Sequence, residues 1–351
     1  MKTVFAYRLK SARILRGMSI KQLTDNLGIS KQMISKYESG ISLPDGKNLI
    51  SLANLLNVKP DYFFTPASVS LENIKFRKKA KSSKSRIESI KINILNQMEN
   101  YLLIEDILSV ESEFSNPIEG NFISHINDVE DLAIQLRAKW NIGNDPINNV
   151  IALLEANGIK LVEIDEVTET SFDGLSVFVN DKFPAIVVNK NYEMERKRFT
   201  LFHELGHLLL NIDNKFTDKE QEKICDQFAG AVLLPKKILI QEIGEKRQRI
   251  SLTELINFQK QFGISIPAIM YRLVNLGVIP ESKIKRFYIK QNSNPELKKL
   301  VNQSRFLGDE KSERFKRLVY KALSQDIISI SKASSLLNMD IGAIQEQLTI
   351  I

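Results

Sequence analysis

Apolar residues recur at helical spacing from Phe5 to Phe64, where Phe5, Leu9, Ala12 and Leu15 mark one face of a first helix. Ser19 offers an N-cap ahead of Ile20 and Leu23, and Leu27-Gly28-Ile29 makes a turn. Ser30 caps a third segment that puts Met33, Ile34 and Tyr37 inward and ends at Gly40. Asp45 to Leu56 reads as a fourth helix. Residues 67–91 break the pattern as a basic linker or exposed helix start, and helical periodicity returns from Ile87 to about Phe114. After the punctuation of Asn116-Pro117 and Glu119-Gly120, Asp128 opens a helix through Ala133, Leu136 and Trp140. Ile147 to Ala156 forms another, stopped by Asn157-Gly158. There the period shortens to three β-rich runs, Ile159–Ile164, Gly174–Val179 and Ala185–Val188, before helices resume at Met194 and continue almost to the end. The expected fold is mainly α with a central α+β domain. An all-α helix-turn-helix bundle spans 1–66, a basic linker with helices 67–118, a mixed domain with a small sheet 119–285 and a helical C-terminal region 286–351. Around Ala333 to Ile344 the spacing has some helix-turn-helix character, for which plain packing is the simpler account.

Composition changes this picture little: 351 residues, 43% hydrophobic and 26% charged, is ordinary for a folded chain and excludes wholesale disorder. No run reaches the roughly 18 apolar residues of a membrane span, and the first residues lack a leader pattern, so no membrane association and a cytoplasmic location are expected. The single cysteine, Cys225, excludes an internal disulfide and a cysteine-rich metal cluster.

Charge distribution changes it more. The net +7 is the balance of +12 up to residue 91 and −5 over the remaining 260 residues, a basic front end suited to phosphate. On the third helix Lys31, Gln32, Ser35 and Lys36 face outward. Gln suits adenine, Lys guanine or phosphate, and Ser either, so double-stranded DNA is the expected partner. Ser19, Lys21 and Lys47 would fix the docking on backbone phosphates, and a homodimer on paired half-sites is expected. The tract Arg77-Lys78-Lys79-Ala80-Lys81 adds phosphate contact or is a solvated linker.

Two of the three histidines fall in FTLFHELGHLLL, residues 199–210. His203 and His207, four apart on a leucine-rich helix, project from one side and can occupy two corners of a tetrahedral Zn2+ site, with Glu204 carried beside the open corner. The alternative is a pair of satisfied core histidines. A third ligand is sought in DKEQEKICDQFAGAVLLP. Glu222 is assigned to the metal, and Asp226, one turn on, to a hydrogen bond that orients a histidine. Glu220 is the other candidate, but Phe228 and Val232 continue the inner face with Asp226. Glu204 is then the catalytic base, taking a proton from water activated by zinc and passing it to a leaving amine. His125, Tyr192, Arg196 and Arg198 could assist, although a surface histidine, a surface tyrosine and solvated cations account for them more simply.

Residues 5–64 resemble the XRE family of phage-repressor-like helix-turn-helix domains, through QLTDNLGISKQMISKYESG and LISLANLLNVKPDYFF. Residues from about 130 to 280 resemble the ImmA/IrrE family of zinc peptidases, through LLEANGIKLVEI, FDGLSVFV, PAIVVN, RFTLFHELGHLLL, DQFAGAVLLP and SLTELINFQKQFGIS. The second resemblance implies a zincin-like domain of gluzincin type, with Glu as third ligand and hence Glu222 here. It also implies limited proteolysis of a repressor or other regulator that controls stress, phage or element-transfer genes. Two positions depart from the family: Cys225 stands where a small alanine is common, and Ile224 where an acid often sits. The joint expectation is a transcriptional regulator that binds DNA through residues 1–66 and cleaves a partner protein, such as a repressor, with a zinc endopeptidase in residues 119–285. The rivals are a DNA-binding repressor or antitoxin-like protein whose metal domain senses or docks a partner without proteolysis, and a chain that cleaves itself near the basic linker.

Overall fold

The computed structural model describes residues 1–70, 84–110, 113–165, 173–303 and 305–348. These form two compact units, the first ending at Leu103 and the second continuing from Ile104. The tract Arg77-Lys78-Lys79-Ala80-Lys81 lies outside the described residues.

The first unit contains α1 (Lys2–Leu15), α2 (Ile20–Leu27), α3 (Lys31–Glu38), α4 (Gly46–Leu56), a 3-10 turn at Pro60–Phe64 and most of α5 (Lys84–Ile107). Local chemistry sets each start. The Ser19 hydroxyl accepts from the Gln22 amide while the Gln22 side chain accepts from the Ser19 amide, a reciprocal cap that begins α2. Gly28 ends it at φ 66, a left-handed conformation that glycine adopts without strain, and Ser30 caps α3 two residues later. Phe5, Leu9, Leu23, Ile34, Leu52, Leu56 and Phe63 form the core. Arg8, buried on α1, clamps Glu99 of α5 through two hydrogen bonds of 2.7 Å. Met33 departs from the expected inner face and is 38% exposed. In a helix of eight residues Ile34 and Tyr37 define the buried line, and Met33 sits about 70° off its middle.

The second unit runs β1 (Phe122–Ile123), α6 (Asp128–Lys139), α7 (Val150–Ala156), β2 (Lys160–Ile164), β3 (Gly174–Val179), β4 (Phe183–Asn189), α8 (Met194–Leu209), β5 (Asn211–Ile212) and α9 (Asp218–Leu233). It continues through α10 (Lys236–Ile243), α11 (Leu252–Phe262), α12 (Ile266–Asn275), α13 (Ser282–Ser293), α14 (Pro295–Gln303), α15 (Arg314–Ser324), α16 (Ile330–Leu337) and α17 (Ile341–Gln347). The sheet order is β2-β4-β3, with β4 parallel to β2 and antiparallel to β3. Asn180 and Asp181 both take positive φ and turn β3 tightly into β4. Flanked on both sides, β4 is buried along almost its whole length, which explains its unbroken apolar run. Helix α7 starts at Val150 and not at Ile147, because the Asn149 side chain caps it by accepting from the Ala152 amide. Helix α5 likewise stops at Ile107, short of Phe114.

Helices α8, α9, α11 and α12 pack around one core with the sheet, through Phe202, Leu205, Phe228, Val232, Phe262 and Ile269. Near the end, α16 and α17 flank a left-handed Asn338 in the way that α2 and α3 flank Gly28, with Ser329 and Asp340 as caps. No lysine or arginine stands on α17, in contrast to α3. No helix among the described residues is long and apolar enough to cross a membrane.

Candidate functional site

Leu201, Phe202, Leu205 and Leu209 bury α8, and the turn spacing of His203 and His207 leaves both imidazoles on the side facing α9. Helix α9 begins at Thr217, which shares a reciprocal cap with Glu220, and this start sets the phase that turns Glu222 toward the histidines. Their side chains converge. His203 Nε2 and His207 Nε2 are 3.1 Å apart, and the Glu222 carboxylate lies 3.4 Å from the first and 3.5 Å from the second. Glu220, the other candidate ligand, is engaged at the Thr217 cap and solvent-exposed.

The donor set itself is the test of whether a metal fits. His203 Nδ1 donates to Asp226 Oδ1 at 2.7 Å, and His207 Nδ1 contacts Cys225 Sγ at 3.0 Å. With both Nδ1 atoms turned outward to partners, rings that are neutral would present Nε2 lone pairs to each other and to a carboxylate. Three acceptors so close repel unless a proton or a metal cation lies among them. Two imidazoles and one carboxylate are a ligand set that zinc accepts in hydrolytic sites, with further coordination left open.

Glu204 sits next to this cluster and is itself almost fully buried. Ser176 Oγ donates to Glu204 Oε2 at 2.9 Å, fixing the carboxylate from the edge strand β3. Gly174, two residues earlier on the same face of β3, is where the strand presses on α8. A Cβ there would lie 2.6 Å from Thr200 Cγ2 and 2.9 Å from Glu204 Cγ. The sequence reading missed Gly174, Ser176 and the contact made by Cys225. The first two carry a faint signal, small residues at period two in an otherwise apolar strand.

Burial alone would lower the His203 pKa, but hydrogen bonds to Asp226 and Glu222 more than offset it and raise it to about 9. A raised imidazole contributes stability that is complete below its unfolded value of about 6.5 and is lost as pH rises through the folded value. Melts of the metal-free chain in chelator should therefore lose stability on the order of 3 kcal/mol between pH 6.5 and about 9. His203→Asn should flatten that stretch; an equally steep decline in the variant would contradict the assignment. Metal binding requires the neutral ring, so loading should release this proton.

The possible assistants divide. His125 is exposed and Arg196 pairs with Asp173 while stacking 4.0 Å over Tyr192, whose hydroxyl donates to Asp173. Burial, with Asp173 adding to it, pushes the Tyr192 phenol up to about 12. Arg198 is no solvated cation: it is 0% exposed and pairs with buried Glu310. It also donates to the carbonyls of Ile147, Phe262 and Gly263.

In the first unit Lys31, Gln32, Ser35 and Lys36 lie together on the exposed face of α3, joined by Met33. Lys21 and Lys47 are exposed near the starts of α2 and α4, and Ser19 combines exposure with its capping role.

Comparison with known proteins matches residues 9–63 to the helix-turn-helix family model and residues 155–274 to the IrrE N-terminal-like domain. The SPbeta prophage-derived HTH-type transcriptional regulator YonR of Bacillus subtilis is 40% identical over 73 residues, covering 20% of this chain and 68% of that relative. The HTH-type transcriptional regulator ImmR of the same organism is 38% identical over 66 residues, covering 19% of this chain and 52% of its own length. A solved Mycobacterium tuberculosis transcriptional regulator aligns over 50% of this chain and 51% of its own, at 15% identity and a TM-score of 0.31.

Proposed function

Because this chain belongs to the helix-turn-helix family and carries an IrrE N-terminal-like domain, we propose that it is a DNA-binding transcriptional regulator with a zinc-dependent endopeptidase domain that cleaves a repressor or other regulatory protein. The observation that carries the enzymatic half is the meeting of His203, His207 and Glu222, contributed by two helices, beside a buried Glu204.

His203, His207 and Glu222 would hold the ion. When bound, zinc supplies Lewis acidity, which lowers the pKa of water to near 7 and polarises a carbonyl. Glu204, held by Ser176, accepts a proton from water and returns it to the departing amine. Asp226 fixes the orientation of His203. The packing of β3 on α8 leaves Glu204 almost fully buried, away from bulk solvent.

The DNA half rests on α3. Lys31, Gln32, Ser35 and Lys36 offer donors and acceptors of the kinds that suit base edges, and Ser19, Lys21 and Lys47 suit flanking phosphates. A homodimer would place two such helices on paired half-sites. With duplex from the chain's own upstream region, Gln32→Ala should cost about 1–3 kcal/mol and relax specificity at one base pair. Lys47→Ala should weaken all sequences alike and reduce the salt slope by about one. Fluorescence anisotropy at several salt concentrations reads both, and unchanged affinity in both variants would remove the DNA assignment. Elemental analysis of the purified chain, with cleavage assays on products of neighbouring genes, tests the other half. Bound zinc without turnover would leave a regulator whose metal domain docks a partner.

A further inference from the structure

We infer that Cys225 is a positioning residue for the metal centre, holding the His207 ring as Asp226 holds the His203 ring. This rests on the metal-binding reading above. The two imidazoles are supported from different sides. Asp226, 55% exposed, accepts a hydrogen bond from Nδ1 of His203, while Cys225, fully buried, lies 3.0 Å from His207 Nδ1. When Nε2 of His207 faces the ion, Nδ1 is the nitrogen that carries hydrogen, so the bond runs from N–H to sulfur. It selects the tautomer that leaves Nε2 available, and it stops the ring from rotating about its own axis.

The backbone is shaped for this contact. Gly206, between the ligands on α8, faces α9, and a Cβ there would stand 3.3 Å from Cys225 Sγ and 3.4 Å from Phe228 Cδ1. The absence of a side chain there eases the close approach of α9, from which the Cys225 side chain reaches the ring. An alanine at position 225 would have no atom to accept the hydrogen bond.

Zinc affinity, measured by competition with a chromophoric chelator, is the test. Cys225→Ala should bind zinc about 10–100-fold more weakly than wild type, the usual effect of removing such a partner, and Cys225→Ser should recover part of that loss. Affinity in Cys225→Ala within about twofold of wild type, far below that effect, would overturn the inference while leaving the metal site intact. A wild-type chain that binds no zinc would overturn both. Should the alanine variant fail to fold, nitrogen-15 spectra of the zinc-loaded wild type decide instead: a His207 Nδ1 proton protected from exchange supports the inference, and an unprotonated Nδ1 overturns it.

Discussion

Glu204→Gln should retain zinc at wild-type stoichiometry and lose cleavage by about 10²–10⁴-fold, the usual contribution of a positioned base. The amide keeps the size of the carboxylate and can still meet Ser176 Oγ, so the packing of α8 against β3 should survive. Only the capacity to take up a proton goes. The control is His203→Ala, which should lose the metal as well as the activity, because two ligands remain where three converged. Cleavage of the same protein by Glu204→Gln at a rate near wild type would remove the proposed base and with it the hydrolytic reading.

The second large effect concerns stability. Arg198→Ala should lower the unfolding free energy by about 3–5 kcal/mol, since it strands a buried carboxylate without its counter-charge. Glu310 is 2% exposed; besides Arg198 it accepts from the amides of Val150 and Ile151 at the start of α7, and burial pushes its carboxyl up from the ordinary range. Burial pushes the Arg198 guanidinium down, and its flat face lies 4.3 Å from the Phe306 ring. The double variant Arg198→Met with Glu310→Leu should recover only part of the loss, because it removes both charges and keeps apolar volume but leaves the Val150 and Ile151 amides without their acceptor. Urea titrations of the three proteins separate charge imbalance from lost packing. A single-variant loss below about 1 kcal/mol would show that solvent reaches the pair.

The parts legible in the sequence are those governed by neighbours in the chain. Ser19, Gly28 and Ser30 determine where α2 and α3 begin and end through contacts within four residues, and the strand Gly174–Val179 and the start of α8 at Met194 follow from a change of period. His203 and His207 were visible because four residues make one helical turn. Their meeting with Glu222 depended on the phase of α9, which the Thr217 cap settles. Met33 was read inward because an apolar residue usually is, whereas a short helix has room for only a narrow buried line.

What stayed hidden depends on residues far apart. The pairing of β1 with β5 involves two residues a side, too few to show any alternation. Ser176 and Glu204 are 28 residues apart and meet only because β3 folds back along α8. Arg198 reads as a solvated cation, yet it is buried, and so are its neighbours Glu195 and Lys197. Lys197 reaches Glu163 at 2.8 Å, and Glu195 accepts from Gln259 and from the Phe306 amide. Charge predicts exposure only when no partner comes from elsewhere.

The match to the IrrE N-terminal-like domain ends at residue 274, while the segment that brings Glu310 to the first turn of α7 arrives later. Scissors guided by the family match would keep His203, His207 and Glu222 and discard the buried carboxylate that pairs with Arg198. The excised piece would then carry an orphaned guanidinium at Arg198, and a piece begun earlier but cut at the same end would have the start of α7 stripped of its acceptor. A fragment meant for biochemistry has to extend past Ser312, whose hydroxyl is tied to Glu155 on α7.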